Sequence, residues 1–313
     1  MSKYLIIIFV LFSATYGLSQ ITTRREWDSA KEKYKIIVQN DYPNHRVIRL
    51  TFDYIKGNCR NGNKSFEKTV RPGESTLTTI TAINGMRKSR PEFRYKLVSY
   101  TGRNDKKPNL DFPYLIPIKP GKQTEINKHN YLGQKYGNFD PPKDWYSLTL
   151  KTTSGDTIYA ARQGVVGNVK DNQISEDQKE VHYQRSKNSV TIQHKDGTTA
   201  RYELFVNNGI FPEVGDFVYA GDPIGIIGGE YYDSGSHLNF SVYYYNYYPK
   251  TSDGKDTGEY YSNAYVPVNF YSVDGVLKFE HCHTVIESVH DESIITSEMS
   301  KKQKKKWKKR NGK

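Results

Sequence analysis

Two closely similar hexapeptides constrain the fold of this chain more than any other feature. GDTIYA occupies residues 155–160 and GDFVYA occupies residues 215–220. The segments that follow them, ARQGVVG and GDPIGIIG, repeat the same pattern of turn and apolar run. Each copy indicates a turn, a short strand, a second turn and another strand. Repetition of such a unit predicts a sheet that is built from two similar halves.

The sequence between and after the two copies also predicts strands. NSVTIQHKDGTTARYELF (188–205) has two alternating runs around Asp196-Gly197, a strong signal for a β-hairpin. The polar segment 170–187 predicts a surface loop. In GSHLNFSVYYYNYY (235–248), His237 and Asn239 lie two residues apart, so they share one face of the predicted strand. The tyrosines that follow alternate between both faces, where they either pack within the sheet or line a groove.

The sequence predicts a mostly β protein with four parts. Residues 1–19 have the short basic start and apolar run of a secretory signal peptide. Residues 20–110 contain short strands separated by Pro, Gly and Asn, which indicates a small β-sandwich-like domain. Residues 111–280 form the domain with the repeated halves, and residues 281–313 form a C-terminal extension with a basic tail. We expect an exported protein, in the periplasm, cell envelope or extracellular space, with no transmembrane segment in the mature chain.

The positive charge is concentrated at one end of the chain. The net charge is +12, and the tail KKQKKKWKKRNGK at 301–313 carries nine of these charges. Because like charges repel, the run predicts a disordered tail. Its expected partners are anionic envelope polymers or lipid head groups, not nucleic acid; a solvated tail without a partner is the alternative. Cys59 and Cys282 either form one disulfide or remain two free thiols.

Several of these segments together resemble a known family. GDTIYAARQGVVG, the stretch from NSVTIQHKDG to GDPIGIIG, SGSHLNFSVYY and AYVPVNFYS (264–272) are similar to the lysostaphin/LytM-type zinc endopeptidases. Members of that family cut peptide cross-links in bacterial cell walls. The resemblance implies their antiparallel β-sheet core, with the duplicated hybrid motif, in the domain at 111–280. It also implies a cell-wall peptide, or a cell-wall hydrolase, as the partner.

The resemblance does not carry over the zinc ligands. The family binds zinc through a His-x-x-x-Asp pair and the second histidine of His-x-His, and these positions hold Trp145, Thr149 and Asn239. A further catalytic histidine is replaced by Glu203, and only His237 keeps its family identity. Catalytic zinc needs three protein ligands, and the metal activates the attacking water. We therefore expect no cofactor and no catalytic residue, with a binding groove that includes His237, Asn239, Glu203 and Tyr243.

Three functions remain open from the sequence. The first is a non-catalytic protein that binds cell-wall peptidoglycan or regulates a cell-wall hydrolase, with His237 contacting the ligand or serving as a structural residue bonded to Glu203. The second is an active zinc endopeptidase with an atypical site made from Glu203, His237 and either His281 or His283, which share one face of a predicted strand. The third is a structural or adhesive envelope component.

Overall fold

The computed structural model describes most of the chain. It covers residues 20–56, 58–59, 64–81, 90–131, 141–142, 144–173, 187–229, 235–252, 255–279 and 283–312, with backbone alone at 58–59, 251–252 and 255–259. The predicted signal peptide at 1–19, the predicted strand position of His281 and the pairing of Cys59 with Cys282 therefore lie outside the described residues.

The N-terminal part of the described chain is a sandwich of two antiparallel sheets. Its strands are β1 (Ile21–Asp28), β2 (Lys33–Asn40), β3 (Arg46–Lys56), β4 (Asn58–Cys59), β5 (Ser65–Val70), β6 (Gly73–Thr81) and β7 (Glu92–Thr101). One sheet has the order β1–β2–β6–β4 and the other β5–β3–β7. The apolar faces of the two sheets meet in one core that includes Ile36, Ile48 and Leu50. Alternating apolar residues along each strand produce this arrangement, because successive side chains point to opposite faces.

The rest of the chain adds one large sheet and two small ones. Its strands are β8 (Pro113–Tyr114), β9 (Gln123–Lys128), β10 (Leu148–Lys151), β11 (Thr157–Tyr159), β12 (Gly164–Lys170), β13 (Ser189–Gln193), β14 (Thr198–Glu203), β15 (Phe205–Ile210), β16 (Phe217–Val218), β17 (Pro223–Ile227), β18 (His237–Ser252), β19 (Lys255–Tyr265), β20 (Asn269–Ser272), β21 (Gly275–Lys278) and β22 (His283–Glu287). The large sheet has the order β16–β12–β13–β14–β18–β10–β9–β22, with β19 also paired to β18. The small sheets are β11–β17–β15 and β21–β20–β8. The prediction of a mostly β, largely antiparallel fold is confirmed.

The two repeated halves pair with each other in an exchanged manner. The first strand of the first half, β11, pairs with the second strand of the second half, β17. Conversely, β12 pairs with β16. Between the halves, β13 and β14 form the predicted hairpin. Its turn places Gly197 at a φ of +91°, a conformation that favours glycine, and Asp196 Oδ1 accepts a hydrogen bond from the Thr198 amide at 3.1 Å.

The large sheet has one apolar and one polar face. Leu148, Tyr202, Leu238 and Phe240 lie on the apolar face and are fully buried in the main core. The N-terminal sandwich covers one end of the polar face, where the Gln193 side chain exchanges two hydrogen bonds with the His45 backbone, at 2.8 and 3.2 Å. The other end of that face carries the residues that the family resemblance singles out.

The tyrosines on the polar face of β18 pack against the sandwich. The Tyr100 ring lies 5.4 Å from the Tyr245 ring and 5.8 Å from the Tyr247 ring, centroid to centroid. The Arg49 guanidinium lies 3.3 Å above the Tyr247 ring. These tyrosines therefore take part in protein packing, one of the two roles expected from the sequence.

The prediction of a disordered basic tail is wrong. After the short helix α1 (Glu292–Thr296), the chain forms helix α2 (Lys301–Arg310). Ser300 and Gln303 form a reciprocal capping box at its start, and basic residues in the last turn favour the helix dipole. Trp307, only 6% exposed, packs into a small apolar cluster with Leu115 and Met299. The burial of this ring stabilises the helix and outweighs the repulsion between like charges, which was the reason for expecting disorder. No helix in the described part of the chain is long and apolar enough to cross a membrane.

A buried arginine anchors the segment before α2. Arg162 is 1% exposed, and its guanidinium bonds both carboxylate oxygens of Glu298, at 2.8 and 2.6 Å. The same group lies 3.0 Å from Asp196 and 3.7 Å from the Phe112 ring centroid. Although burial opposes the charge, these carboxylates outweigh it and raise the pKa of Arg162. The cation therefore ties the C-terminal segment to the β13–β14 turn.

Candidate functional site

Three of the residue positions singled out by sequence lie side by side in the large sheet. Thr149 on β10 is directly opposite Asn239 on β18, and Asn239 is directly opposite Glu203 on β14. Directly opposed residues share one face of a sheet, with Cα atoms about 4.5–5.5 Å apart. The three side chains therefore form a cross-strand row on the polar face, although they are distant in sequence.

Trp145 lies just before β10, within an aromatic cluster. Its ring centroid is 4.9 Å from that of Tyr131 and 4.7 Å from that of Tyr265. The indole Nε1 donates to the His129 carbonyl oxygen at 3.2 Å. An indole N–H is only a donor, so this side chain offers a metal no lone pair. Trp145 instead packs against Tyr131 and Tyr265 beside the row.

His237 begins β18 and occupies the same face as Asn239, opposite Lys151. It is 8% exposed, and its Nδ1 lies 2.6 Å from the Gly235 carbonyl oxygen. Because a carbonyl only accepts, Nδ1 carries the proton in this bond. Burial, aided by the positive charge of Lys187, lowers the pKa of His237, while the Gly235 bond opposes the shift. The imidazole is therefore neutral at pH 7.

Glu203 faces two cations that the protein itself supplies. Lys187 Nζ lies 3.8 Å from Glu203 Oε2, and Arg201 Nη1 lies 3.8 Å from Glu203 Oε1. The Lys187 side chain is 14% exposed, and burial lowers its pKa even though Glu203 opposes the shift. Lys187 could not be predicted from the sequence as a site residue, because it ends a polar segment whose composition indicates a surface loop.

His129 is a second residue near the row that no local sequence pattern predicts. It lies 20 residues before Thr149 in the chain, but β9 pairs with β10 and brings it back to the edge of the region around Thr149, Asn239 and Glu203 (the cleft). Its amide donates to the Ser147 carbonyl at 2.8 Å. Burial, with the charges of Lys187 and His237, lowers the pKa of His129 to about 4. Only the antiparallel return of β9 and β10, and no local motif, could have predicted this proximity.

Tyr243 marks the far end of the polar strip on β18. It is 8% exposed, and its ring lies 6.2 Å from the Tyr265 ring and 5.9 Å from the Arg201 guanidinium. Six residues separate His237 from Tyr243, which is about 20 Å along a strand. The four residues of the predicted groove therefore share a face, with Tyr243 at a distance from the other three.

The residues of this cleft do not fit a catalytic zinc ion. A threonine hydroxyl and an asparagine amide stand at two positions where the resemblance implies metal ligands, and Glu203 is already paired with two cations that would repel a metal. Among the residues that the structure describes, no group of three His, Cys, Asp or Glu side chains could hold a metal ion. Asn239 Oδ1 is buried without a hydrogen-bond partner among these same residues.

The alternative metal site that includes His283 is also ruled out, because of where His283 lies in the sheet. His283 pairs with Asn127, and Asn127 pairs with Thr149, so His283 lies in the same cross-strand row as Glu203. Four inter-strand spacings separate the two residues, about 19 Å at the usual spacing. His283 and Glu203 therefore cannot ligate one metal ion, and the expectation of such a site is wrong for His283.

Comparisons with known proteins identify this region. Residues 143–251 match the sequence profile of Peptidase family M23. The fold is similar to the M23 metalloprotease pseudoalterin from the deep sea, at 16% identity and a TM-score of 0.31, over 57% of this chain and 99% of that one. It is also similar to Helicobacter pylori Csd3, at 14% identity and a TM-score of 0.28, over 93% of this chain and 83% of that one.

A further similar structure is a zinc-containing peptidase from Vibrio cholerae, at 15% identity and a TM-score of 0.26, over 67% of this chain and 52% of that one. No curated protein matches the chain. The profile match spans the cross-strand row, the hairpin and most of both repeated halves. The chain therefore contains a Peptidase family M23 domain of the LytM type at residues 143–251.

Proposed function

We propose that this chain is an exported, non-catalytic M23-fold protein that binds peptide segments of cell-wall peptidoglycan in the cleft beside Asn239. The proposal rests on one observation above all. At the place where the family fold would hold a metal, Thr149, Asn239 and Glu203 lie in one row, and Lys187 and Arg201 supply the positive charge. In this proposal the cleft keeps its shape, and its side chains form hydrogen bonds to a peptide ligand in place of bonds to a metal ion.

The polar groups of the row offer complementary partners to a peptide backbone. Asn239 Oδ1 is a buried acceptor without a partner among the described residues, so a backbone N–H of a ligand can donate to it. Lys187 and Arg201 present cationic donors to a carbonyl or carboxylate of the same ligand. These groups bind and orient a peptide. None of them activates a water molecule in the way that a zinc ion does.

Hydrolysis of a peptide bond would need another source of a nucleophile. His237 and His129 are neutral bases whose pKa values are lowered by burial, so each can accept a proton but neither is itself the nucleophile that hydrolysis needs. An orienting base without a nucleophile or a metal does not complete an acyl-transfer site. Binding is therefore the chemistry that the described side chains support.

The outer surface of α2 supports a second, separate contact. Six of its lysines are exposed and make no ion pair within the described residues: Lys301, Lys302, Lys304, Lys305, Lys306 and Lys309. Trp307 points into the protein, so it is not available for insertion into a lipid surface. We propose that this lysine surface holds the protein against an anionic envelope surface by charge alone.

Incubation of the whole protein with purified cell-wall sacculi tests the main proposal. We expect no release of soluble peptides, with or without added zinc, and co-sedimentation of the protein with the sacculi. Asn239→Ala should weaken co-sedimentation, because it removes the partnerless acceptor. Asn246→Ala, an exposed position further along β18, is the matched control and should have no effect.

Each other outcome of this experiment assigns a different function. Release of peptides by the zinc-treated protein would make it an atypical endopeptidase. An absence of co-sedimentation, together with faster digestion when an active cell-wall hydrolase is added, would make it a hydrolase regulator. An absence of both effects would favour a structural or adhesive role and would contradict the proposal.

A further inference from the structure

A large cavity lies where three parts of the chain meet, away from the cleft. Its volume is about 700 Å³, within the range of about 300–1,000 Å³ that is usual for small-molecule sites. Asn44 comes from the N-terminal sandwich, Gln163 and His194 come from the M23 domain, and Gln303 comes from α2. On β13, Gln193 at the cavity and Ser189 beside Glu203 are four residues apart, about 13 Å. The cavity is therefore a separate site.

Three buried atoms on side chains of this wall have no hydrogen-bond partner among the described residues. They are Asn44 Oδ1, Gln163 Oε1 and His194 Nε2. Their residues are 3%, 7% and 2% exposed, respectively. Buried polar atoms in folded proteins are nearly always bonded, so a group of three around one cavity indicates a polar ligand, which reaches these enclosed atoms once their side chains turn towards the cavity. This observation is independent of the cavity's size.

The protonation of His194 defines what the ligand must offer. His194 Nδ1 lies 2.8 Å from the Gln163 carbonyl oxygen, which only accepts, so Nδ1 carries the proton. Burial, followed by the nearby Arg162 charge, lowers the pKa of His194 to about 3. The ring is neutral at pH 7, and Nε2 is an acceptor. The ligand therefore has to present hydrogen-bond donors.

The charges around the cavity argue against an ionic ligand. Lys195, Arg103 and Glu298 lie on the wall, and Arg162 stands behind it. Glu298 is neutralised by its two bonds to Arg162, and Arg103 is paired with Asp105. Within the described part of the chain, Lys195 is left as the unpaired charge among these groups, so a cationic donor such as an ammonium group would be repelled. An anion would face the lone pairs of His194 and of the amide oxygens. A neutral hydroxyl group avoids both conflicts. It donates to an acceptor, and it also accepts from an amide NH₂ if Asn44 or Gln163 turns.

An exposed aromatic ring stands on the same wall. Phe217 is 46% exposed, and its ring packs edge to face against the Tyr219 ring, with 5.2 Å between the ring centroids. A large ring that remains exposed beside polar acceptors suits a ligand with an apolar face and hydroxyl groups at its edge. A pyranose ring has this character.

We propose that this cavity binds a neutral saccharide, with its hydroxyl groups donating to Asn44, Gln163 and His194 and one ring face lying on Phe217. The site goes beyond the proposed peptide-binding cleft and does not depend on it. A saccharide bound here contacts the sandwich, the M23 domain and α2 at once, so its binding holds the three parts together.

Calorimetric titration of the whole protein with soluble trisaccharides tests this site. The probes are cellotriose and the N-acetylglucosamine trimer, which are neutral, and the glucosamine trimer, which is cationic. We expect at least one neutral trimer to bind, and the cationic trimer to bind about tenfold more weakly or not at all. Failure of both neutral trimers at millimolar concentration, or preferential binding of the cationic trimer, overturns the proposal. The Asn239→Ala variant should bind the trimers like the parent protein, so this result is separate from the peptide-binding test.

Two substitutions locate the binding in the cavity. Gln163→Met removes the amide and keeps the chain length, so it should abolish binding and raise Tm, because a partnerless buried oxygen no longer has to be accommodated. Thr152→Val removes another partnerless oxygen, distant from the cavity, and should raise Tm without affecting binding. Phe217→Ala, at an exposed position, should weaken binding severalfold. Trisaccharide binding that survives both Gln163→Met and Phe217→Ala contradicts the assignment.

Discussion

Lys187 places its ammonium group 3.8 Å from the Glu203 carboxylate, in the cleft beside Asn239. The pair joins the end of a polar segment to the last residue of β14. It also explains how a carboxylate is accommodated in a partly buried row that contains Asn239 and Thr149. A positive charge is present in this cleft, and the protein provides it.

The energetic coupling of this pair can be measured by a double-mutant cycle. Because the Lys187 side chain is largely buried and the distance is long for an ion pair, we expect Lys187→Met and Glu203→Gln to be coupled by about 1 kcal/mol. The double variant should therefore be more stable than the two single variants predict. Urea unfolding of the four proteins measures this quantity, and additive effects would mean that the pair does not interact.

The pairing of buried Arg162 with Glu298, which anchors the C-terminal segment, should contribute much more to the free energy of unfolding. Glu298→Gln removes one of the two carboxylates that neutralise buried Arg162, so we expect a loss of about 3 kcal/mol in the free energy of unfolding. The fluorescence of Trp307 should report release of α2 at low denaturant. Glu292→Gln breaks the exposed pair with Lys308 and should cost less than about 0.5 kcal/mol. Equal effects of the two substitutions would contradict the role of Arg162 and Glu298 in anchoring this segment.

Acid should destabilise the protein through its buried histidines, and a substitution at His194 tests the contribution of that residue. The pKa of His194 is lowered to about 3 by burial and by Arg162, whereas the unfolded value is about 6.5. The unfolded state thus binds the proton more readily, so the stabilising effect of the neutral ring is complete above pH 6.5 and is lost progressively as the pH falls towards 3. His194→Gln should reduce the slope of the stability profile between pH 6.5 and 4, and the slope that remains is due in part to His129 and His237. Thermal unfolding across this range checks the effect, and an unchanged slope would argue against it.

The lysine surface of α2 should control attachment to anionic surfaces. Replacing its six unpaired lysines with glutamine should abolish co-sedimentation with vesicles that contain phosphatidylglycerol, and the attachment of the parent protein should weaken as salt is raised. Lys308→Gln is the single-site control, because Lys308 already pairs with Glu292. Attachment that persists in the sixfold variant would exclude this surface. Circular dichroism verifies that the helix is retained.

Local patterns in the sequence predicted the sheet elements well. The repeated GDTIYA and GDFVYA segments and the Asp196-Gly197 turn specify strands and a hairpin, because the spacing of apolar and turn residues determines them locally. The exchanged pairing of the two halves could not be predicted in this way. It depends on contacts between residues about 60 positions apart in the chain, which no local pattern encodes.

The sequence indicated which positions lie together in the cleft, but not which charged side chains surround them. The family resemblance indicated Thr149, Asn239 and Glu203, and the structure places them in one row. Lys187 and His129 were missed, since a charged residue at the end of a polar segment resembles any surface residue. The helical tail was also missed, because the charge run conceals a single tryptophan that packs inward.

Equilibrium dialysis of the whole protein against zinc, followed by metal analysis, tests the central claim most directly. We predict that no stoichiometric zinc is retained, because Thr149, Trp145 and Asn239 provide no ligand set and Lys187 and Arg201 already neutralise Glu203. One zinc ion retained per chain, and lost on Glu203→Gln or His237→Ala substitution, would contradict this account.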